Sequence, residues 1–202
     1  MIRKIIRTLT VVLALAIVAI GAWRWQLARA PKSELFADYG QVAAFTLTDQ
    51  DGKKFGSADL KGKIWVADFV FTRCHGPCPL LTTRMAELQK KFTGKKDFMS
   101  VSFSVDPDYD QPAVLTAYAA TYGANSSSWK FLTGPSETLY PFIRNNFKLA
   151  VAPNNQDVAV GEIDIMHSLY FVLVDRKGHI RGFYDTTNAQ MLEKLKSDIP
   201  LL

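Results

Sequence analysis

The chain of 202 residues holds two cysteines, and they stand four apart in Cys74-His75-Gly76-Pro77-Cys78-Pro79. In a helical or tightly turned segment that spacing puts both sulfurs on one face, with β-carbons about 5–6 Å apart, close enough to share one metal ion or, after a small adjustment, to form a disulfide. Glycine and prolines in a loop are a poor packing device, so the pair reads as a chemical site rather than core filling. A helix starting just beyond would favour thiolate through its free N–H groups and dipole. Thiolates are soft ligands that select Cu(I) or zinc, and an imidazole as third ligand suits either metal and also admits Cu(II). A structural zinc site would leave a fourth position unassigned.

Three histidines can supply that imidazole. His167 is the better candidate, closing Asp164-Ile165-Met166-His167 just before a strand whose start is expected to face the cysteine loop; Asp164 and Met166 are accessory candidates. His75, between the cysteines, is a weaker candidate, and His179, at a strand start after a turn, is expected in solvent. Met85 and Met99 fit core faces of a helix and a strand. The alternation Asp106, Asp108, Asp110 suggests calcium, but Pro107 and the missing glycine and terminal glutamate of a calcium loop oppose it, and a solvated turn before a helix at Pro112 is the expectation.

The elements that must position these residues follow from hydrophobic patterning. Residues 43–48 alternate as a strand, and Asp51-Gly52 turns it into a hairpin with Lys53–Phe55. Ile64–Phe71 is an almost continuous apolar run, the pattern of a strand covered on both faces, and the cysteines sit at its C-terminal end. A helix over Leu80–Phe92 takes Pro79 in its first turn. Phe98–Val105 predicts a second buried strand, Pro112–Tyr122 a helix stopped by Gly123, and Trp129–Leu132 a third strand. Ser136–Asn145 predicts a helix that Pro141 kinks or shortens. Residues 147–165 read as an irregular insertion or hairpin leading to His167. Leu169–Val174 and Ile180–Tyr184 form an antiparallel pair, and Asn188 caps a closing helix over Ala189–Lys196. This order is α/β and thioredoxin-like, with an N-terminal β-hairpin extension and a central insertion.

Residues 8–23 carry no charge and follow Arg3, Lys4 and Arg7, so the start reads as a signal peptide or an anchor. Pro31 directly after the cleavage-like Ala28-Arg29-Ala30, together with Trp23 and Trp25 at an interface, favours retention as one transmembrane helix. The expected organisation is a short cytoplasmic tail at 1–7, an anchor at 8–26, a linker at 27–40 and one domain at 41–202. Of the 24 Lys and Arg residues, six lie in the first 32 residues, which hold no acid; the remainder has 18 against 19 acidic residues. The excess charge belongs to the flanks of the anchor, and no nucleic-acid surface is expected.

Three stretches resemble the SCO/SenC family: Phe71-Thr72-Arg73-Cys74-His75-Gly76-Pro77-Cys78-Pro79, Ser104-Val105-Asp106-Pro107-Asp108-Tyr109-Asp110-Gln111-Pro112, and Met166-His167-Ser168 before Tyr170-Phe171-Val172-Leu173-Val174-Asp175. The likeness covers residues 40–200. It implies a membrane-anchored, thioredoxin-like copper chaperone for the dinuclear copper centre of cytochrome c oxidase, binding Cu(I) and also Cu(II) through Cys74, Cys78 and His167. The implied partners are the copper-receiving oxidase subunit and a thiol reductant or copper donor protein; in an oxidising compartment the pair needs an external reductant before it can bind metal. The implied location is a bacterial inner membrane, crossed once, with the domain in the periplasm. His75-Gly76 departs from the family's acidic neighbour after the first cysteine and brings the loop closer to a thioredoxin redox loop. The alternative function is thiol–disulfide exchange with a redox-active Cys74–Cys78 disulfide, Cys74 attacking and Cys78 resolving. Exchange has no need of His167.

Overall fold

The computed structural model describes residues 2–28, 36–147, 149–150, 163–164 and 169–202. The chain divides into two units, Met1–Glu34 and Leu35–Leu202. The first contains α1 (Ile2–Ala28), 27 residues long and so about 40 Å at 1.5 Å per residue. Its apolar side chains Val12, Leu13, Leu15, Ile17, Val18 and Ile20 are all exposed. Among the described residues no helix is long and apolar enough to cross a membrane, so what the structure supports of the expected span is the helix itself.

The second unit begins with a hairpin of β1 (Thr46–Asp49) and β2 (Lys54–Gly56), turned at Gly52 with φ 74°. A short α2 (Ser57–Leu60) follows, too brief for any periodicity to reveal it. Then come β3 (Ile64–Val70), α3 (Cys78–Lys91), β4 (Phe98–Ser104), α4 (Pro112–Thr121), β5 (Trp129–Thr133) and α5 (Ser136–Phe147). The chain closes with β6 (Leu149–Ala150), β7 (Ile163–Asp164), β8 (Tyr170–Val174), β9 (Ile180–Asp185), α6 (Ala189–Asp198) and a 3-10 turn at Ile199–Leu201. Seven strands form one mixed sheet in the order β2-β1-β5-β4-β3-β8-β9. β3 runs parallel to β4 and antiparallel to β8.

All seven residues of β3 and all seven of β4 are buried, the state of strands covered on both faces, although Asp68 interrupts the apolar run of β3 and serines alternate with apolar residues in β4. Alternation sends Trp65, Ala67 and Phe69 to one face, with Phe103, Leu132, Leu139, Ile143 and Phe147. Ile64, Val66 and Val70 face the other, where Leu81, Met85, Leu88, Leu115 and Leu195 cover them. Met85 and Met99 are core residues, as expected.

One expectation is corrected. α5 is not shortened at Pro141, which lies inside the helix. Proline removes one N–H bond here, but Pro141 is on the exposed side, whereas Leu139, Ile143 and Phe147 recur every fourth residue and are fully buried, so packing outweighs the lost bond. β6 and β7 pair in parallel, Leu149 with Ile163, so these two strands are not the arms of a hairpin. Asn188 caps α6 as expected, accepting from the Gln190 and Met191 N–H groups.

Gly56 lies close against the backbone at Phe45. A β-carbon there would lie 2.1 Å from the Phe45 carbonyl oxygen, the same oxygen that accepts the Ser57 N–H at 3.1 Å. Gly56→Ala should therefore force the strand apart and destabilise the domain by roughly 1–3 kcal/mol, read as a lower urea midpoint with an unchanged slope.

Candidate metal centre

The cysteine loop begins where β3 ends, and a tight turn closes it at once: the Cys74 N–H donates to the Phe71 carbonyl at 3.2 Å. α3 then starts at Cys78, with Pro79 in its first turn and the Leu81 N–H donating to the Pro77 carbonyl. The Thr82 hydroxyl donates to the Cys78 carbonyl at 2.9 Å and shares a 2.8 Å hydrogen bond with the Tyr118 hydroxyl, fixing the first turn against α4. Both cysteines are free thiols and they differ in access: Cys74 is half-buried, Cys78 only 5% exposed. Both pack against the core face of α3.

Burial decides the state of Cys78. Its thiol is pushed up to about 12, chiefly by desolvation, with Cys74 and Asp68 adding to the rise. The expectation that the helix start would favour its thiolate is therefore overturned, because a charge removed from water loses more than the partial charge of a helix terminus returns. Cys78 therefore binds a metal only by giving up its proton to solvent.

Beneath the loop lies a group that sequence patterning did not single out. Asp68 occupies an even position of β3, on the face of Ile64, Val66 and Val70, and is completely buried. Neither carboxylate oxygen has a hydrogen-bond partner. Burial raises its carboxyl to about 7, with nearby Ser102 offsetting part of the rise. An acidic residue within an otherwise apolar strand, six positions before a cysteine, is the signal that could have revealed it.

Asp110 is the second missed residue. It does not head a solvated turn: it is fully buried and accepts from the Thr72 N–H, the Thr72 hydroxyl at 2.5 Å and the Ser104 hydroxyl at 2.6 Å. It thus fastens the cysteine loop to the end of β4. Arg73 makes the same connection from outside, bonding both oxygens of Asp106 at 2.6 and 3.1 Å and lying 4.7 Å over the Tyr109 ring. The three alternating aspartates diverge, Asp106 to Arg73, Asp108 to solvent and Asp110 inward, so they build no calcium loop.

His75 is exposed. His179 is half-buried rather than in solvent, its Nδ1 2.9 Å from the Asp38 carboxylate, which anchors the chain before β1 to the start of β9. Asp164 ends β7. Met166 and His167 lie outside the described residues, and among the described residues no three His, Cys, Asp or Glu side chains converge. Leu169 is described: its carbonyl accepts from the Thr186 N–H and hydroxyl, and its side chain packs against the same apolar cluster that Phe71 and Cys74 cover. Val172 pairs with Ala67, so Leu169 lies toward the end of β3 that carries the cysteines.

Asp68 gives a pH test. Folding moves its carboxyl from the ordinary 3.8 to about 7, so between those values the folded chain holds a proton that the unfolded chain has released. Stability should fall as pH rises from about 4 to about 7 and then level off, by roughly 1–4 kcal/mol. Asp68→Asn should flatten that part of the profile in urea unfolding measured across pH; an unchanged slope would show that Asp68 ionises freely.

With the geometry in place, comparison identifies the relatives. The SCO1/SenC family model matches residues 37–199. The SCO1 protein homolog of Bacillus subtilis strain 168 is 36% identical over 161 residues, covering 79% of this chain and 81% of the relative. A solved SCO1/SenC family lipoprotein from Bacillus anthracis str. Ames superposes with a TM-score of 0.68 at 39% identity, over 79% of this chain and 93% of that one. BsSco, described as a Sco-family cytochrome c oxidase assembly protein with a disulfide switch, gives a TM-score of 0.68 at 34% identity, over 82% and 94%. The chain belongs to the SCO1/SenC family.

Proposed function

We propose that this chain binds copper through Cys74, Cys78 and His167 and delivers it to the dinuclear copper centre of cytochrome c oxidase during assembly. The observation that carries the reading is the pair of free thiols at the end of β3, held in place from both sides by Asp110 and Arg73. Two thiolates and an imidazole form a soft donor set suited to Cu(I), and the imidazole extends it to Cu(II). The antiparallel register of β8 on β3, Val172 with Ala67, brings the start of β8, three residues after His167, toward the cysteine end of β3, which supports His167 as the third ligand. Membership of a family that includes an oxidase-assembly protein supports the recipient. Loading requires a reduced pair, and because burial pushes the Cys78 thiol up, it releases that thiol's proton to solvent. In an oxidising compartment a thiol reductant keeps the pair reduced, and a copper donor protein supplies the metal.

The tether belongs to the same proposal: α1 spans a bacterial inner membrane and holds the domain in the periplasm. Support comes from the uncharged run at residues 8–23 and its arginine flanks.

Thiol–disulfide exchange is the second reading, favoured by the unequal access of the two thiols. A half-exposed Cys74 can attack while a buried Cys78 resolves.

Anaerobic titration of the reduced protein with Cu(I) should reach one equivalent. His167→Ala should weaken binding at least about tenfold, or roughly 1.4 kcal/mol, and leave the rate of thiol–disulfide exchange with a model disulfide unchanged. Failure to bind one equivalent overturns the copper reading; full affinity in His167→Ala removes His167 from the ligand set.

A further inference from the structure

Beyond residue 32 the chain is nearly neutral, but the fold sorts its charges along the strand direction. Ile64 pairs with Phe98 and Trp65 with Val174, so the starts of β3 and β4 and the β8–β9 turn share one end of the sheet. The cysteine loop follows the opposite end, roughly 23 Å away along the seven residues of β3. α3 starts at the cysteines and returns Lys90 and Lys91 to the strand-start end. The connection to β4 adds Lys95 and Lys96, the turn before β3 adds Lys61, and the β8–β9 turn adds Lys177.

All six lysines are exposed, and among the described residues none is in an ion pair. The acids of that end are already engaged. Asp97 pairs with Arg176 at 2.5 Å, Asp175 with Arg181 at 2.7 Å and Asp38 with His179, and Asp59 accepts the Gly56 N–H. At the cysteine end the balance reverses, with Asp106, Asp108, Asp110 and Glu137 against Arg73 and Lys54.

The chain also enters the domain at the lysine end. The Tyr39 N–H donates to the Ile180 carbonyl at 3.0 Å, the Ile180 N–H to the Gly40 carbonyl, and the Val42 N–H to the Gly178 carbonyl at 2.9 Å. Between Ala28 and Phe36 lies no more than about 30 Å of chain at full extension.

We propose that the lysine end of the domain rests on anionic lipid headgroups of the membrane that holds α1, so that the cysteine loop points away from the bilayer toward its partner. The surface rests on the tether reading for its reach but not for its chemistry. A short linker entering at the lysine end keeps that end near the headgroups, which turns a weak electrostatic contact into an intramolecular one. An acidic protein has the same charge but gains nothing from where the chain enters.

The test compares lysine acylation of the full chain in nanodiscs of phosphatidylcholine alone and with about 30 mol% phosphatidylglycerol, read by mass spectrometry at low ionic strength. Lys90, Lys95 and Lys96 should react at least about threefold more slowly in the anionic discs. Protection should vanish in about 0.5 M salt, where the Debye length is roughly 4 Å. Lys54, level with the far end of β4 through Thr48 and Thr133, should react equally in both. Equal rates for all lysines overturn the proposal, as does protection by soluble polyglutamate without protection by anionic discs, which would assign the surface to an acidic protein. If the chain is not retained in neutral discs, the tether reading fails. Co-sedimentation with phosphatidylglycerol vesicles, abolished by Lys90→Glu/Lys95→Glu/Lys96→Glu, then still decides the surface.

Discussion

Everything at the site hangs on β3. Seven consecutive buried residues cannot lie at an edge or face water on either side, so the strand must sit between two others and beneath helices on both faces. Its position between β4 and β8 then brings three separate stretches of chain to one place. The cysteine loop leaves its C-terminal end, the loop carrying Asp106 and Asp110 leaves the parallel end of β4, and Leu169 arrives at the start of antiparallel β8. Hydrogen bonds from Thr72 to Asp110 and from Arg73 to Asp106 convert that proximity into a fixed arrangement.

Burial that builds the site also sets its chemistry. The same packing that places Cys78 on the core face of α3 deprives its thiolate of water, and no helix terminus compensates for that. Asp68 repeats the pattern one layer down. The two thiols are consequently unequal, one available at the surface and one protonated beneath it, and a ligand or an oxidant meets them in that order.

The two cysteines, the strand before them, the helix after them and the cap at Asn188 were legible in the sequence, because each depends on local periodicity or on a residue type with one preferred use. What was not legible depends on distance along the chain. Asp110 looked like a turn residue because its partners, Thr72 and Ser104, are brought to it only by strand pairing. Asp68 was hidden within an apolar run. The persistence of α5 through Pro141 is decided by Leu139, Ile143 and Phe147 in the core, which outweigh a local preference. Charge balance misled in a similar way: a neutral total concealed lysines gathered at one end of the sheet, since a sum carries no position.

The central claim is a copper site made of two sulfurs and one nitrogen. Copper K-edge X-ray absorption of the Cu(I)-loaded full chain tests it most directly. The account predicts two sulfur scatterers and one imidazole in the wild type, with the imidazole lost in His167→Ala while both sulfurs remain. Two sulfurs alone in the wild type, or an imidazole that persists in His167→Ala and disappears in His75→Ala, would contradict it.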